Sequence, residues 1–247
     1  MTTAAARFPR LPGQGWLVLL GGGEFSFGET WDADRLWLEK CPDGPIGFIP
    51  AASGSQDYPE HFADYLSAEF RRPVETLPIY RERDARRGKN AERIAACAAV
   101  YLGGGVTDHL LDTIAGSPAA AALAAKLEQG GMVVAIAAAA QTVGKFARSI
   151  HRGDLIPGLD WLPEGVVEPN FDPDHDRRLR KMLAGSGVRW GVGIPASCAL
   201  LLGPGGATEV VGEIFRLDGA DADLEEIVGL PLSDETEEEG VEGEEAP

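Results

Sequence analysis

The chain is poor in cysteine, in basic residues and in long apolar runs, and each shortage closes off a class of protein. Its three cysteines, Cys41, Cys97 and Cys198, are odd in number and far apart. No Cys-x-x-Cys pair or Cys/His cluster is present, so neither a disulfide framework nor a zinc site is implied, and no metal or cofactor is expected. Such sparse cysteine usage fits a reducing cytoplasm. Lys and Arg number 22 against 39 Asp and Glu, giving a net charge of −17. That balance argues against nucleic acid or an anionic membrane surface as a partner. The longest apolar run, Met132 to Ala140, is too short to span a bilayer. Residues 1–14 carry Arg7 and Arg10 but no apolar stretch, and read as a flexible leader, not a secretory signal.

Much of the negative charge is local. Asp234 to Glu245 holds eight acids and no base, with Val241 as the one sizeable apolar group. Such a block cannot offset its ordering entropy, so residues 233–247 read as a disordered acidic tail. Residues 15–232 then form a single domain. The chain's apolar share of 44% is enough for a sizeable core.

Apolar runs alternate with helical spacing along that domain. Strands are expected at Trp16–Leu20, Pro45–Pro50, Val74–Tyr80, Ala99–Leu102 and Met132–Ile136. Helices are expected at 30–40, 58–70, 91–98, 107–115, 118–129 and 138–150. This alternation predicts an α/β three-layer sandwich with a mostly parallel central sheet. After Gly185-Ser186-Gly187 the pattern changes. Trp190–Ile194, Ala199–Leu202 and Glu209–Leu217 predict short strands forming a small antiparallel C-terminal edge.

In such sheets ligands gather beyond the carboxyl ends of the strands. The small-residue turns Gly21–Gly23, Ala51–Ser53, Gly103–Gly105 and Ala135–Ala139 fall there. Neither Gly triplet continues into Gly-Lys-Ser/Thr, which excludes a P-loop, and neither gives a well-placed G-x-G-x-x-G. Tight strand-to-helix turns account for most of this signal. The stretch Asn170–Asp176 has oxygen ligands at every second residue, but it lacks the loop glycine and the closing Glu of a calcium site. Asp172 as N-cap with Pro173 at the first helical position explains it better. Arg177, Arg178 and Arg180 then follow on a solvated helix face.

Six motifs in order carry a family resemblance. They are Leu-Gly-Gly-Gly-Glu at 20–24, Ile-Pro-Ala-Ala-Ser at 49–53, Tyr-Leu-Gly-Gly-Gly-Val-Thr at 101–107 and Gly-Gly-Met-Val-Val-Ala at 130–135. Gly-Leu-Asp-Trp-Leu-Pro-Glu-Gly-Val-Val-Glu-Pro-Asn-Phe at 158–171 and Gly-Ile-Pro-Ala-Ser-Cys-Ala-Leu at 193–200 complete the set. Together they resemble the S51 serine peptidases, which include cyanophycinase and aspartyl dipeptidase. The resemblance implies a class I glutamine amidotransferase-like fold over residues 16 to about 215.

The departures fall on the catalytic motifs. The family's nucleophile elbow resembles Gly-x-Ser-Ala-Gly-Ala; here Ala135-Ile136-Ala137-Ala138-Ala139-Ala140 stands in its place. Ala137 occupies the nucleophile position. Both flanking glycines are alanines, which removes a reason to expect the strained turn of an elbow. The family's base is the His of a His-Phe pair; here the pair is Asn170-Phe171, and Asn cannot take a proton from a hydroxyl near neutral pH. The Asn usual after the Gly triplet is Val106. Asp154 lies in the stretch of the third triad member.

The resemblance therefore implies a non-catalytic homologue that binds a small anionic or peptide-like ligand or a protein partner. Backbone donors at Gly104, Gly105 and Ala138 would cradle an anion. Gln141, Asn170 and Arg178 would complete the ligand site. A homodimer is the expected assembly. The alternative is a serine-type peptidase or amidohydrolase with a relocated nucleophile acting on Asp-containing peptides. Its candidates are Ser53, Thr107, Thr142, Ser197 and Cys198, with His175 as the nearest base. A third reading is a purely structural or regulatory subunit.

Overall fold

A computed structural model describes residues 7–233; residues 1–6 and the acidic block from 234 onward lie outside it. The first strand, β1 (Trp16–Leu20), leads through the Gly21–Gly23 turn and a 3-10 turn at Phe25–Phe27 into α1 (Trp31–Lys40). There follow β2 (Ile46–Ile49), α2 (Asp57–Phe70), β3 (Val74–Thr76), α3 (Glu82–Ala85), α4 (Gly88–Ala96) and β4 (Ala99–Leu102). Next come α5 (Thr107–Ile114) and α6 (Pro118–Glu128). The Ser117 hydroxyl starts α6 by accepting from Ala120 N–H at 3.2 Å, with Pro118 at the position where no N–H is needed. The sheet returns with β5 (Met132–Ile136), followed by the short α7 (Ala138–Thr142).

The expected helix over 138–150 is thus cut to its first turns. Beyond Gly144 the backbone turns into a hairpin, β6 (Phe146–Arg148) and β7 (Leu155–Pro157). Lys145 N–H donates to the Gly165 carbonyl at 2.8 Å and Gly158 N–H to the Lys145 carbonyl at 2.9 Å, so the groups a helix would need are claimed elsewhere. The chain then runs through β8 (Gly165–Pro169), α8 (Arg177–Leu183), β9 (Trp190–Ile194), β10 (Ala199–Leu202), β11 (Thr208–Val211), β12 (Glu213–Leu217) and β13 (Glu225–Val228).

The main sheet has seven strands in the order β11-β10-β1-β5-β4-β2-β3. Strands β1, β5, β4, β2 and β3 are parallel, and β10 and β11 add the antiparallel C-terminal edge. A second sheet of four strands runs β13-β12-β9-β8, with β8 and β9 parallel. The single strand expected over 209–217 is two. Gly212, at φ 67°, breaks the extended backbone and sends β11 to the main sheet and β12 to the second.

Alternation along the strands builds two packed layers. Leu17, Leu19, Val100, Leu102, Val133 and Ala135 face one side with Leu110, Ile114, Leu123 and Leu127 of α5 and α6. Val18, Leu20, Phe48, Tyr101, Val134 and Ile136 face the other, against Trp37 of α1 and Phe62 and Leu66 of α2. The stretch 7–14, part of the expected leader, is packed onto this body. Phe8 is buried, and Leu11 N–H donates to the Trp161 carbonyl at 2.8 Å. The Arg10 guanidinium donates to the carbonyls of Gly15 at 2.7 Å and Gly203 at 3.3 Å.

Candidate functional site

The carboxyl end of β1 organises the site. The carbonyls of three consecutive residues, Leu20, Gly21 and Gly22, accept from the N–H groups of Ala137 at 3.0 Å, Asn170 at 2.8 Å and Ser197 at 3.2 Å. These lie beyond β5, β8 and β9 respectively. All three are non-glycine residues at positive φ: 51°, 47° and 65°. One short glycine turn thereby fixes three loops from two sheets at a common point. Gly22 has φ 157°, and a Cβ there would come within 2.1 Å of the Asn170 Oδ1, so any side chain at 22 would displace the Asn170 amide.

Ala137 has φ 51° and ψ −118°, the cramped geometry of a nucleophile elbow. The expectation that loss of the flanking glycines would relax this turn is corrected. The turn is clamped at both ends, by Ala137 N–H on the Leu20 carbonyl and by Gln141 N–H on the Ala137 carbonyl at 3.2 Å. A non-glycine residue held this way costs on the order of 1–3 kcal/mol. The Ala137 side chain is half-buried and is a methyl group, so the turn presents no nucleophile.

Around the elbow the expected ligand residues divide. Gly104 adjoins Ala137; a Cβ built on it would be 3.7 Å from the Ala137 Cβ. Its backbone faces the Tyr58 hydroxyl, whose pKa is pushed up to about 12, chiefly by burial. Gly105, at φ 147°, packs against the Ala52 carbonyl, where a Cβ would come within 2.5 Å. Ala138 opens α7 and is half-buried, and Asn170 is exposed over Gly22.

Gln141 turns inward instead. Its Oε1 accepts from Arg148 N–H at 3.0 Å and from the Thr107 hydroxyl at 3.4 Å, and its Nε2 donates to Glu168 Oε2 at 3.4 Å. Gln141 is a scaffold residue, with its amide spent within the protein. Glu168 is 2% exposed and is gripped by the Arg148 guanidinium at 2.8 and 3.0 Å. Burial raises the Glu168 pKa, and Arg148 opposes that rise. Arg178 lines a cleft against the β6–β7 hairpin, which also holds Asp154, and its charge acts on Glu168.

Three of the alternative nucleophiles spend their hydroxyls on hydrogen bonds within the described residues. The Ser53 hydroxyl donates to the Pro50 carbonyl at 3.2 Å, Thr142 to the Ala139 carbonyl at 2.7 Å and Thr107 to Gln141. Ser197 sits in its strained turn and Cys198 is buried beside Gly212. His175 is turned to solvent, its Nδ1 2.6 Å from Asp172 Oδ2. That contact, with the Asp174 N–H at 3.0 Å, lowers the Asp172 pKa. Asp172 thus acts as the expected cap, but on a 3-10 turn at Pro173–His175, with α8 beginning only at Arg177. Among the described residues no group of three or more His, Cys, Asp or Glu is placed to hold a metal ion.

The positive φ of Ser197 and the inward turn of Gln141 had no signal in the sequence. The Gly21–Gly23 hub did have one, in a triplet of residues able to accept close neighbours.

A parallel sheet whose first strand ends in a glycine turn, beside a strained strand-to-helix elbow, defines a three-layer α/β protein of the peptidase E-like fold. The chain belongs to peptidase family S51, whose sequence model matches residues 17–210. Its fold is similar to a crystal structure of a peptidase from an acI-B1 Actinobacterium, with TM-score 0.68 and 20% identity over 89% of this chain and 98% of that one. It is also similar to a candidate peptidase E protein from Listeria monocytogenes EGD-e, with TM-score 0.61 and 15% identity over 80% of this chain and 98% of that one. No curated protein matches the sequence significantly.

Proposed function

We propose that this chain is a non-catalytic member of the S51 family that binds a small anionic or peptide-like ligand, or a protein partner. One observation carries the reading. The elbow keeps its backbone geometry at Ala137, φ 51° and ψ −118°, while the side chain there has no atom that could attack a carbonyl. Asn170, pinned to the same glycine turn, supplies an amide where the resemblance calls for an imidazole. Nucleophilic catalysis by the family's route needs both groups.

The reading includes a cytoplasmic location, supported by three cysteines that form no disulfide. Among the described residues no helix is long and apolar enough to cross a membrane. It also includes a homodimer, for which the β3 edge of the main sheet offers a pairing route.

The test is incubation of the purified protein with aspartyl dipeptides and a cyanophycin-like polymer, alongside a fluorophosphonate probe. The expected result is no turnover above background and no adduct. Turnover that survives repurification and disappears in Ser197→Ala or His175→Ala overturns the reading in favour of a relocated nucleophile.

A further inference from the structure

Away from the Ala137 turn, a cleft of about 300 Å³ opens between α8 and the β6–β7 hairpin. Arg148, Arg177, Arg178 and Lys181 line it, with Asp154 as the one acid among the lining residues. Such a concentration of positive charge is unusual ground in a chain of net charge −17.

The four cations are of two kinds. Arg148 is fixed by Glu168, and removing it would leave a buried carboxylate unpaired, so it belongs to the floor of the cleft. Arg177 and Arg178 are exposed and make no hydrogen bond or ion pair within the described residues. The Lys181 ammonium donates only to the Gly153 carbonyl across the cleft, at 3.3 Å. Arg180 on the same helix shows what a structural arginine looks like here. It pairs with Asp176 at 2.7 Å and donates to the carbonyls of Ala220 and Ala222 at 2.7 and 2.9 Å. Arg177 lies four residues and Arg178 three residues before Lys181, so each neighbours the lysine on the helix surface and like charges repel; Asp154 in the lining and, for Arg178, the buried Glu168 offset only part of that repulsion.

We propose that this cleft binds a phosphate-bearing small molecule through Arg177, Arg178 and Lys181. Three cations within five residues line one cleft. A phosphate monoester carries nearly two negative charges and three acceptor oxygens on one tetrahedral centre, and matches that arrangement. A dicarboxylate would spread the same charge over two separated groups. None of the residues lining the cleft belongs to the elbow turn, so this site stands whether or not Ala137 has cost the protein its catalysis.

The experiment is calorimetric titration of the full chain with inorganic phosphate and with pyrophosphate, at constant ionic strength held by chloride. Saturable binding is expected, weakened about tenfold or more in Arg177→Ala/Arg178→Ala and more mildly in Lys181→Gln, and unchanged in Arg189→Ala. Thermal melts of the unliganded variants establish that each is folded. An unchanged Kd in both cleft variants overturns the site, as does heat that never saturates. Saturation by succinate with none by phosphate overturns the choice of ligand. Peptidase turnover with intact phosphate binding would sink only the non-catalytic reading.

Discussion

At the scale of single residues, the cost of burying a carboxylate is clearest at Asp34. It is fully buried in α1 without a cation, and accepts hydrogen bonds from Thr30 and Trp37 at 2.7 Å and from Tyr65 at 3.0 Å. Burial pushes its pKa up to about 6, against the three hydrogen bonds. In the unfolded chain the group ionises near pH 4. Between pH 4 and 6 the unfolded state therefore binds fewer protons than the native one, and stability falls as pH rises. The Asp34→Asn variant keeps an acceptor for Trp37 and removes this dependence. Urea unfolding at pH 4, 5, 6 and 7 should show the stability of wild type relative to variant dropping by roughly 3 kcal/mol across that window. A difference that stays constant with pH would show that Asp34 does not titrate there.

At the scale of elements, the strands were legible and their interruptions were not. Trp16–Leu20, Ala99–Leu102 and Met132–Ile136 stand out because apolar runs end in small residues, as buried parallel strands must where the chain turns sharply. Val143 and Phe146 keep helical spacing across Gly144, so the sequence predicts a helix over 138–150; the bonds that end it come from Gly165 and Gly158, far along the chain. Glu209–Leu217 reads as one strand because β-forming apolar residues, Val210, Val211, Ile214 and Phe215, stand on both sides of Gly212. At the site, the resemblance located Ala137 and Asn170, but an alanine carries no mark of the φ its neighbours impose. Arg178 lines a cleft with the β6–β7 hairpin, a neighbour that its closeness in sequence to the Asn-Phe pair does not reveal. Gly212 gives the direct check. At φ 67°, with a Cβ position 2.5 Å from the Cys198 Sγ, Gly212→Ala should cost about 1–3 kcal/mol and lower the melting temperature. A variant as stable as wild type would mean the handover between the two sheets needs no left-handed residue.

At the scale of the whole molecule, β1 is flanked by β5 and β10. Trp16 is paired with Met132 and Leu17 with Leu202. β1 has no neighbour in the sheet until β5, which begins only at Met132, has followed it. At the usual pace of translation, that interval is roughly 6 to 25 seconds for β5 and longer for β10. Throughout it, a strand apolar on both faces waits without a sheet. Ribosome-bound chains halted near residue 130 should be cleaved rapidly by added protease, while chains long enough to expose β10 outside the exit tunnel should resist. Equal resistance at both lengths would mean the amino-terminal half finds a stable shelter of its own. The strand that anchors the elbow thus makes the newborn protein a natural client for the chaperones that meet it at the ribosome.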